Sequence, residues 1–210
     1  MRLGRTNTAT AKRISKKLVI TGTAISGAPA PVAPFITPPI ANASPTMVRV
    51  CKSIDAIKNI NKSDFLAIVV TNQPAVAKGF CTFSDIEKIH MHMETELAKE
   101  GAKLDQIFFC PCHPERGFEG ENLKYKRNCN WRKPKIGMLE EAKKRYNLDF
   151  SLSYIIGDTT RDILTGKNAG VESFLVSTGY AGKDGNFDII PDNSSENLYS
   201  AVEAIKGFQE

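Results

Sequence analysis

Carboxylates are missing from the first part of this chain, where the earliest acidic residue is Asp55. The same stretch carries eight lysine or arginine residues, which take the formal net charge from −3 for residues 55–210 to +5 for all 210 residues. The basic excess is therefore a property of the N-terminal segment, and the remainder is slightly acidic. No chemistry that needs a carboxylate can be carried out by residues 1–54.

Long apolar runs are also missing. No run approaches the ~18 apolar residues of a membrane span, and prolines at five positions interrupt residues 18–40. No basic stripe is interleaved with aromatic residues, which argues against a nucleic-acid surface. No long apolar stripe is left unexplained, which favours a monomer. We therefore expect a soluble, cytoplasmic monomer that binds neither nucleic acid nor membrane.

The chain has five cysteines, and three of them, Cys110, Cys112 and Cys129, fall within one predicted loop. An odd number clustered in this way favours a metal in a reducing compartment over a disulfide framework. With His113 they could form a small zinc-clipped loop. Adjacent Cys112 and His113 do not readily converge on one ion, so a three-ligand site and a set of unrelated buried thiols remain alternatives.

Composition changes sharply near Met47. Residues 1–46 are rich in Thr, Ala, Ser and Pro and have little periodicity, which is typical of an irregular segment. Only Lys17–Ile20 could form a strand there. From Met47 onward the apolar residues are regularly spaced, and we expect one folded domain over residues 47–210.

Helical and strand patterns alternate through that domain. Continuous apolar runs predict buried strands, and amphipathic or capped segments predict helices between them; the strands are 65–70, 107–109, 153–156 and 173–176, and the helices start near 50, 82, 137, 161 and 196. Ser194 or Ser195 is the expected cap of the last helix. This alternation predicts an α/β fold with a doubly wound parallel sheet, whose functional groups lie beyond the carboxyl ends of the strands.

One helical stripe leads to a separate prediction. Ile86, Ile89, Met93 and Leu97 recur at helical spacing and are assigned to the core, which leaves His90 on the exposed side of the same helix.

Polar residues follow two of the predicted strands. Thr71 and Asn72 come directly after Val70, where a hydroxyl and an amide could donate to a phosphate, although a simple turn is the alternative. Asp158 follows Ile156 and Gly157 and is placed to bind Mg²⁺, with Asp162 orienting it. The alternative makes Asp158 a helix N-cap and Asp162 a first-turn acid.

Two cations, Arg132 and Lys133, precede Pro134 and the next helix. A lysine at this place can neutralise the charge that develops on a transferring phosphoryl group. The alternative is a solvated basic turn, because Lys124, Lys126, Arg127 and Lys135 lie nearby.

Four segments in order resemble the haloacid dehalogenase superfamily of phosphatases. They are V-V-T-N-Q-P at 69–74, C-P-C-H-P-E-R-G-F at 110–118, C-N-W-R-K-P-K at 129–135 and I-G-D-T-T-R-D at 156–162. Within that superfamily they are similar to the D-glycero-D-manno-heptose 1,7-bisphosphate phosphatases and their histidinol-phosphatase relatives.

This resemblance implies a Rossmannoid fold and the hydrolysis of a sugar bisphosphate through an aspartyl-phosphate, with Mg²⁺ as cofactor and zinc as a structural ion. The implied product is a heptose 1-phosphate for lipopolysaccharide biosynthesis. By the same resemblance, substrate and phosphate are bound by Thr71, Asn72, Gln73 and Arg132; Lys133 neutralises charge and Asp158 holds Mg²⁺.

The chain departs from the family pattern at two places. The family's zinc loop reads Cys-x-His followed by Cys-x-Cys, whereas Cys112 stands at the second position and Trp131 at the fourth. The family's first strand ends in Asp-x-Asp, the nucleophile and the general acid/base. Here the corresponding residues are Thr21 and Thr23, which cannot perform that chemistry.

Three explanations compete for residues 1–46: a targeting peptide, a true pseudophosphatase, or translation in the wrong reading frame. We favour the last, because composition and pattern break together while the later motifs stay in order. We expect little or no turnover from the chain as written. Two alternatives remain: a histidinol-phosphate phosphatase, and a catalytically dead phosphosugar-binding protein.

Overall fold

A computed structural model describes residues 17–21 and 45–207, with side chains placed for most of 52–205. This part of the chain contains six strands and five α-helices, which alternate except that the last two strands are consecutive. The strands are β1 Lys17–Thr21, β2 Phe65–Asn72, β3 Gln106–Cys110, β4 Tyr154–Gly157, β5 Glu172–Val176 and β6 Asn193–Ser195. The helices are α1 Pro45–Asn61, α2 Phe83–Lys99, α3 Gly137–Tyr146, α4 Thr160–Ala169 and α5 Leu198–Gly207.

The strands form one parallel sheet in the order β3-β2-β1-β4-β5-β6. Strand order reverses beside β1, which pairs with β2 on one side and β4 on the other. In open sheets of this kind the ligand site lies in the crevice beyond the strand ends at that reversal. The predicted doubly wound sheet is therefore confirmed, and Lys17–Ile20 forms its central strand.

Two apolar layers cover the sheet. Alternate residues of β2 point to opposite faces, so Phe65 and Ala67 pack under α1 and α5 while Ile68 and Val70 pack towards α3. Each helix buries one stripe against the sheet, which is why the strands between them read as continuous apolar runs. This layering fixes the strand ends, and with them the crevice.

The stripe predicted for α2 is partly wrong. Ile86 is buried and Met93 and Leu97 pack against the core, but Ile89 is 53% exposed. His90 is half-buried instead, with its ring centroid 5.1 Å from that of Phe109. The helix is rotated because the aromatic edge of β3 accepts the imidazole at the position where an aliphatic side chain was expected.

The C-terminal strand β6 was not predicted, since its residues Asn193–Ser195 carry no apolar signal. Its pairing with β5 places Ser194 and Ser195 in the sheet, which corrects their assignment as a helix cap. The side chain of Asn197 takes that role and accepts a hydrogen bond from the backbone N–H of Ser200 at 3.1 Å. No helix among the described residues is long and apolar enough to cross a membrane.

Candidate active site

The end of β2 is fastened to the loop before α3. The Asn72 side chain accepts from the backbone N–H of Lys133 at 2.9 Å and donates to the Lys133 carbonyl at 3.2 Å. The Gln73 amide donates to the Thr71 hydroxyl at 3.3 Å, and Thr71 is buried. The predicted phosphate-side residues are therefore brought together with Lys133, although Asn72 supports the loop in addition to facing the crevice.

Lys133 is a buried cation and not part of a solvated turn. Its ammonium donates to the Val70 carbonyl at 2.9 Å and to Asp162 Oδ1 at 2.5 Å, and both charged side chains are less than 5% exposed. A buried cation with one carboxylate partner presents a fixed positive charge at the ends of β2 and β4. This is the charge that an incoming phosphoryl group would meet.

Asp162 is the first-turn acid that the structural alternative predicts, and its Oδ1 is engaged by Lys133. Its other oxygen, Oδ2, accepts from the Thr159 hydroxyl at 2.6 Å and completes a capping box at the start of α4. A Cβ at Gly157 would lie 2.3 Å from the Asp162 Cβ, so only glycine permits this approach. Thr159, not Asp158, is the N-cap, which removes the structural alternative for Asp158.

Asp158 lies at the tip of β4 and is 1% exposed. Its Oδ2 accepts from the backbone N–H of Tyr180 at 3.0 Å, but among the described residues Oδ1 has no hydrogen-bond partner. Burial raises the pKa of this carboxyl above its ordinary value, and the nearby Asp162 raises it further. A buried carboxylate oxygen without a hydrogen bond destabilises the folded protein unless a cation binds to it.

The donor chemistry at Asp158 fits Mg²⁺, a hard cation that prefers carboxylate oxygens and retains several waters. Asp158 Oδ1 is the available ligand atom, while Asp162 is occupied by Lys133 and Thr159. Gly179 completes the cradle: a Cβ there would lie 2.2 Å from Asp158 Oδ2. The loop from Gly179 to Gly182 was not predicted as part of the site, because its contact with Asp158 is made by a backbone N–H.

We expect Gly179→Ala to displace the Asp158 carboxylate, to lower the free energy of unfolding by roughly 1–3 kcal/mol and to weaken Mg²⁺ binding. Gly185→Ala is the matched control, because Gly185 also has positive φ (+64°, against +73° at Gly179) but a Cβ added to it would have no neighbouring atom within 4 Å. Calorimetric Mg²⁺ titration and thermal unfolding should separate the two. Equal Mg²⁺ affinities in both variants would rule out the cradle.

Arg132 lies near the end of the long loop 110–134, and its side chain contacts the start of the same loop. Its guanidinium donates to the Cys112 carbonyl at 3.0 Å. Burial lowers the pKa of Arg132 from its ordinary value, and the repulsion of the Arg161 charge lowers it further. An anion placed there would relieve that repulsion, which agrees with the predicted role of Arg132 in substrate recognition.

The carboxyl end of β1 lies between the end of β2, which carries Thr71, and the end of β4, which precedes Asp158. Thr21 is its last residue and is in register with Val69 of β2 and Ile156 of β4. Thr71 and Asp158 each follow those partners by two residues. This is the strand end where the resemblance requires aspartates, and the chain has threonine at 21; Thr23 lies outside the described residues.

Three thiols converge near the ends of β3 and the following loop. The sulfurs of Cys110, Cys112 and Cys129 all lie within 4.8 Å of one another, and Cys110 Sγ is 3.0 Å from Cys129 Sγ. Burial raises the pKa of Cys110 and of Cys112. Burial also opposes ionisation of Cys129, but hydrogen bonds from the Cys110 and Cys112 thiols lower its pKa below the ordinary value.

A closed structural zinc site needs four ligands, and the fourth is missing from this cluster. Trp131 stands in the corresponding place and packs edge-on against Phe108, with ring centroids 5.9 Å apart. His113 does not join the three sulfurs; its Nε2 lies 3.8 Å from Glu115 and its ring packs on Phe118. The donor set therefore does not fit the closed zinc site of the family pattern.

Comparison with known proteins agrees with this geometry. Residues 130–201 match the HAD-hydrolase-like family model. Over 128 residues, the chain is 38% identical to the D-glycero-β-D-manno-heptose-1,7-bisphosphate 7-phosphatase of Pasteurella multocida, covering 60% of this chain and 67% of that protein. The protein of the same name from Haemophilus ducreyi is 37% identical, covering 60% and 68%.

Solved structures give the same result. The D,D-heptose 1,7-bisphosphate phosphatase from B. bronchiseptica, complexed with magnesium and phosphate, superposes with a TM-score of 0.67 at 26% identity, covering 91% of this chain and 99% of the other. A HAD-like phosphatase from Mesorhizobium loti gives a TM-score of 0.65, also at 26% identity, covering 91% and 87%.

Proposed function

Since the chain belongs to the haloacid dehalogenase-like heptose-bisphosphate phosphatases, we propose that its substrate is D-glycero-D-manno-heptose 1,7-bisphosphate, held by the 7-phosphate. The single observation that carries this proposal is the buried assembly of Thr71, Lys133 and Asp158 around the end of β1. Fixed positive charge on one side and an incomplete carboxylate on the other suit a phosphoryl group together with a divalent cation.

The side chains divide the work as follows. Lys133 neutralises the charge of the phosphoryl group and is kept in place by Asp162 and the Val70 carbonyl. Thr71 and Asn72 bind phosphate oxygens, with Gln73 orienting Thr71, and Arg132 recognises the rest of the substrate. Asp158 would hold Mg²⁺, which when bound neutralises phosphate charge and aligns the phosphoryl group.

Covalent transfer needs a carboxylate at the end of β1, and no acid precedes Asp55. A threonine hydroxyl without an adjacent base is a weak nucleophile, so we expect this chain to bind the sugar phosphate with little or no phosphate release. The same phosphate-binding and metal-binding residues could also bind histidinol phosphate. We favour heptose bisphosphate over histidinol phosphate as the substrate, because the relatives described above are heptose-bisphosphate phosphatases. We also propose that the protein is a cytoplasmic monomer that acts in heptose biosynthesis.

The test is a thermal shift measured beside a phosphate-release assay. With Mg²⁺ present, heptose bisphosphate should stabilise the protein by about 2.7 kcal/mol at 100 times its Kd, while phosphate release stays at the level of the buffer. Histidinol phosphate should compete only weakly. Stabilisation by neither compound would rule out the binding role, and fast release would rule out the requirement for the missing acid.

Asp158→Asn should stabilise the metal-free protein at neutral pH. A carboxyl whose pKa is raised in the folded state binds more protons there, so the free energy of unfolding falls as pH rises from about 4 through the raised value. The amide removes that loss, and it should also abolish stabilisation by Mg²⁺. Thermal unfolding from pH 4 to 8, with EDTA or Mg²⁺, measures both effects; an unchanged pH slope would contradict the assignment.

A further inference from the structure

Two of the three clustered thiols are in direct contact. Cys110 Sγ lies 3.0 Å from Cys129 Sγ, and the sulfurs of a disulfide bond lie about 2.05 Å apart. Cys110 ends β3, and Cys129 lies near the end of the long loop that follows. A movement of about 1 Å would therefore bring the sulfurs to bonding distance and join the two ends of the segment 111–128.

The two cysteines differ in their exposure. Cys129 is half-buried, whereas Cys110 is fully buried and Cys112 is 3% exposed. All three residues line a cavity of about 460 Å³ that runs along β3, the outer strand of the sheet. An accessible cysteine beside a second cysteine that can resolve it is typical of redox-sensing pairs. An oxidant of the size of water would thus meet Cys129 first.

The backbone of both cysteines supports residues of the proposed substrate site. The Cys110 carbonyl accepts from the backbone N–H of Gln73 at 2.8 Å, and the Cys129 carbonyl accepts from the backbone N–H of Arg132 at 3.3 Å. The Arg132 guanidinium also donates to the Cys112 carbonyl at 3.0 Å. A bond between the two sulfurs would therefore fasten the segment that carries Arg132 to the segment that carries Gln73.

The loop lacks the closed metal site that would otherwise hold it together. A closed structural zinc site needs four ligands. Trp131 has no ligand atom to offer, and His113 lies apart from the three sulfurs. A disulfide needs only two thiols, and the contacting pair supplies them.

We propose that Cys110 and Cys129 are a redox-modification site, at which a reversible disulfide closes the loop 110–134, with hydrogen peroxide as the oxidant and a dithiol as the reductant. The Cys129 sulfur attacks a peroxide oxygen, the O–O bond breaks, and hydroxide leaves as water with the Cys129 proton, which gives a sulfenic acid. The Cys110 sulfur then attacks Cys129 Sγ; the S–S bond forms, the S–O bond breaks, and a second water leaves with the Cys110 proton. Two thiols are oxidised, one peroxide is reduced to two waters, and Cys112 keeps its thiol.

The test is oxidation of the reduced full chain by one equivalent of hydrogen peroxide, with and without one equivalent of Zn²⁺. We expect the loss of two of the five thiols and a fall in mass by two hydrogens, both reversed by dithiothreitol and neither prevented by Zn²⁺. Because the bond closes residues 110–129 into a covalent loop, the oxidised protein should unfold at a temperature roughly 6–12 °C higher. Protection of the thiols by Zn²⁺ would overturn the proposal, since the cluster would then be a metal site.

Variants and peptide mapping identify the pair. Cys110→Ser and Cys129→Ser should each lose the thiol change and the rise in unfolding temperature, whereas Cys112→Ser and Cys81→Ser should keep both. Trypsin cuts between the two cysteines, so the peptides 104–116 and 128–132 of the oxidised wild-type chain should stay joined until dithiothreitol is added.

The mapping needs no variant, so a serine substitution that fails to fold leaves the proposal testable. Separate peptides after oxidation, a bond between two chains, or an intramolecular bond that persists in Cys110→Ser would each contradict the pairing. None of these measurements involves a phosphosugar, and their outcome is therefore independent of the proposed function.

Discussion

Replacing Lys133 with methionine should lower the free energy of unfolding by about 3–5 kcal/mol and abolish phosphosugar binding. Methionine fills a similar volume but leaves Asp162 as a buried carboxylate without its cation, 2.5 Å from where the ammonium stood. The penalty comes from the charge left behind more than from the lost attraction. Chemical denaturation in urea measures it.

A matched control exists on the surface. Lys167 pairs with Asp192, and both side chains are about one-third exposed, so Lys167→Met should cost less than 1 kcal/mol, the usual range for exposed pairs. Lys133→Met combined with Asp162→Asn should recover part of the stability but none of the binding. If the single variant at 133 were as mild as the one at 167, Lys133 would not be the buried charge of the site.

Periodicity was sufficient to predict strands such as β2 and β4, because they are largely buried on both faces and read as apolar runs. Periodicity was insufficient wherever polar residues form a strand, cap a helix or pack against the core. The strand β6 is Asn-Ser-Ser, whose pairing depends on backbone groups that every sequence has. The capping role of Asn197 and the rotation of α2 towards Phe109 depend likewise on neighbours distant in sequence.

The candidate site, too, could be predicted from the sequence only in part. Thr71, Asn72 and Asp158 could be placed at one edge of the sheet because they lie at the ends of predicted strands, and Asp162 because it lies in the first turn of the next helix. Lys133 was singled out only as a cation ahead of a predicted helix. The N–H of Tyr180 that holds Asp158 could not be predicted, because a backbone donor leaves no residue signal. The sequence shows only a glycine at 179, whose φ of +73° is known from the structure.

Burial of isolated cations was equally hard to predict. Lys126 was grouped with a solvated basic turn, yet its side chain is fully buried, 3.0 Å from Glu121 and over the Phe118 ring. Its partners come from the same long loop, whose fold carries no periodicity. Whether a charged side chain is buried can therefore be decided only when its ion-pair and hydrogen-bond partners are known.

The remaining question is whether the end of β1 is all that separates this chain from a phosphatase. We expect the double variant Thr21→Asp/Thr23→Asp to gain Mg²⁺-dependent phosphate release from heptose bisphosphate, on the order of 10³-fold or more above the parent chain, since covalent catalysis fails almost completely without its nucleophile. The register of Thr21 with Val69 and Ile156 supports this placement between the Thr71 and Asp158 strand ends.

The control is Thr21→Asn/Thr23→Asn, which has the same shape without the carboxylates and should stay inactive. Asp158→Asn in the aspartate background should abolish the gain, because the metal ligand is then lost. Activity in the asparagine variant would mean that another group attacks the phosphate. An aspartate variant that folds and binds substrate but stays inactive would mean that residues 22–44 also lack contacts that the reaction needs. The coding DNA for residues 1–50, translated in all three forward frames, would then be decisive. An Asp-x-Asp-Gly sequence in another frame would indicate a misread phosphatase, and its absence would indicate a binding protein that has lost its catalytic residues.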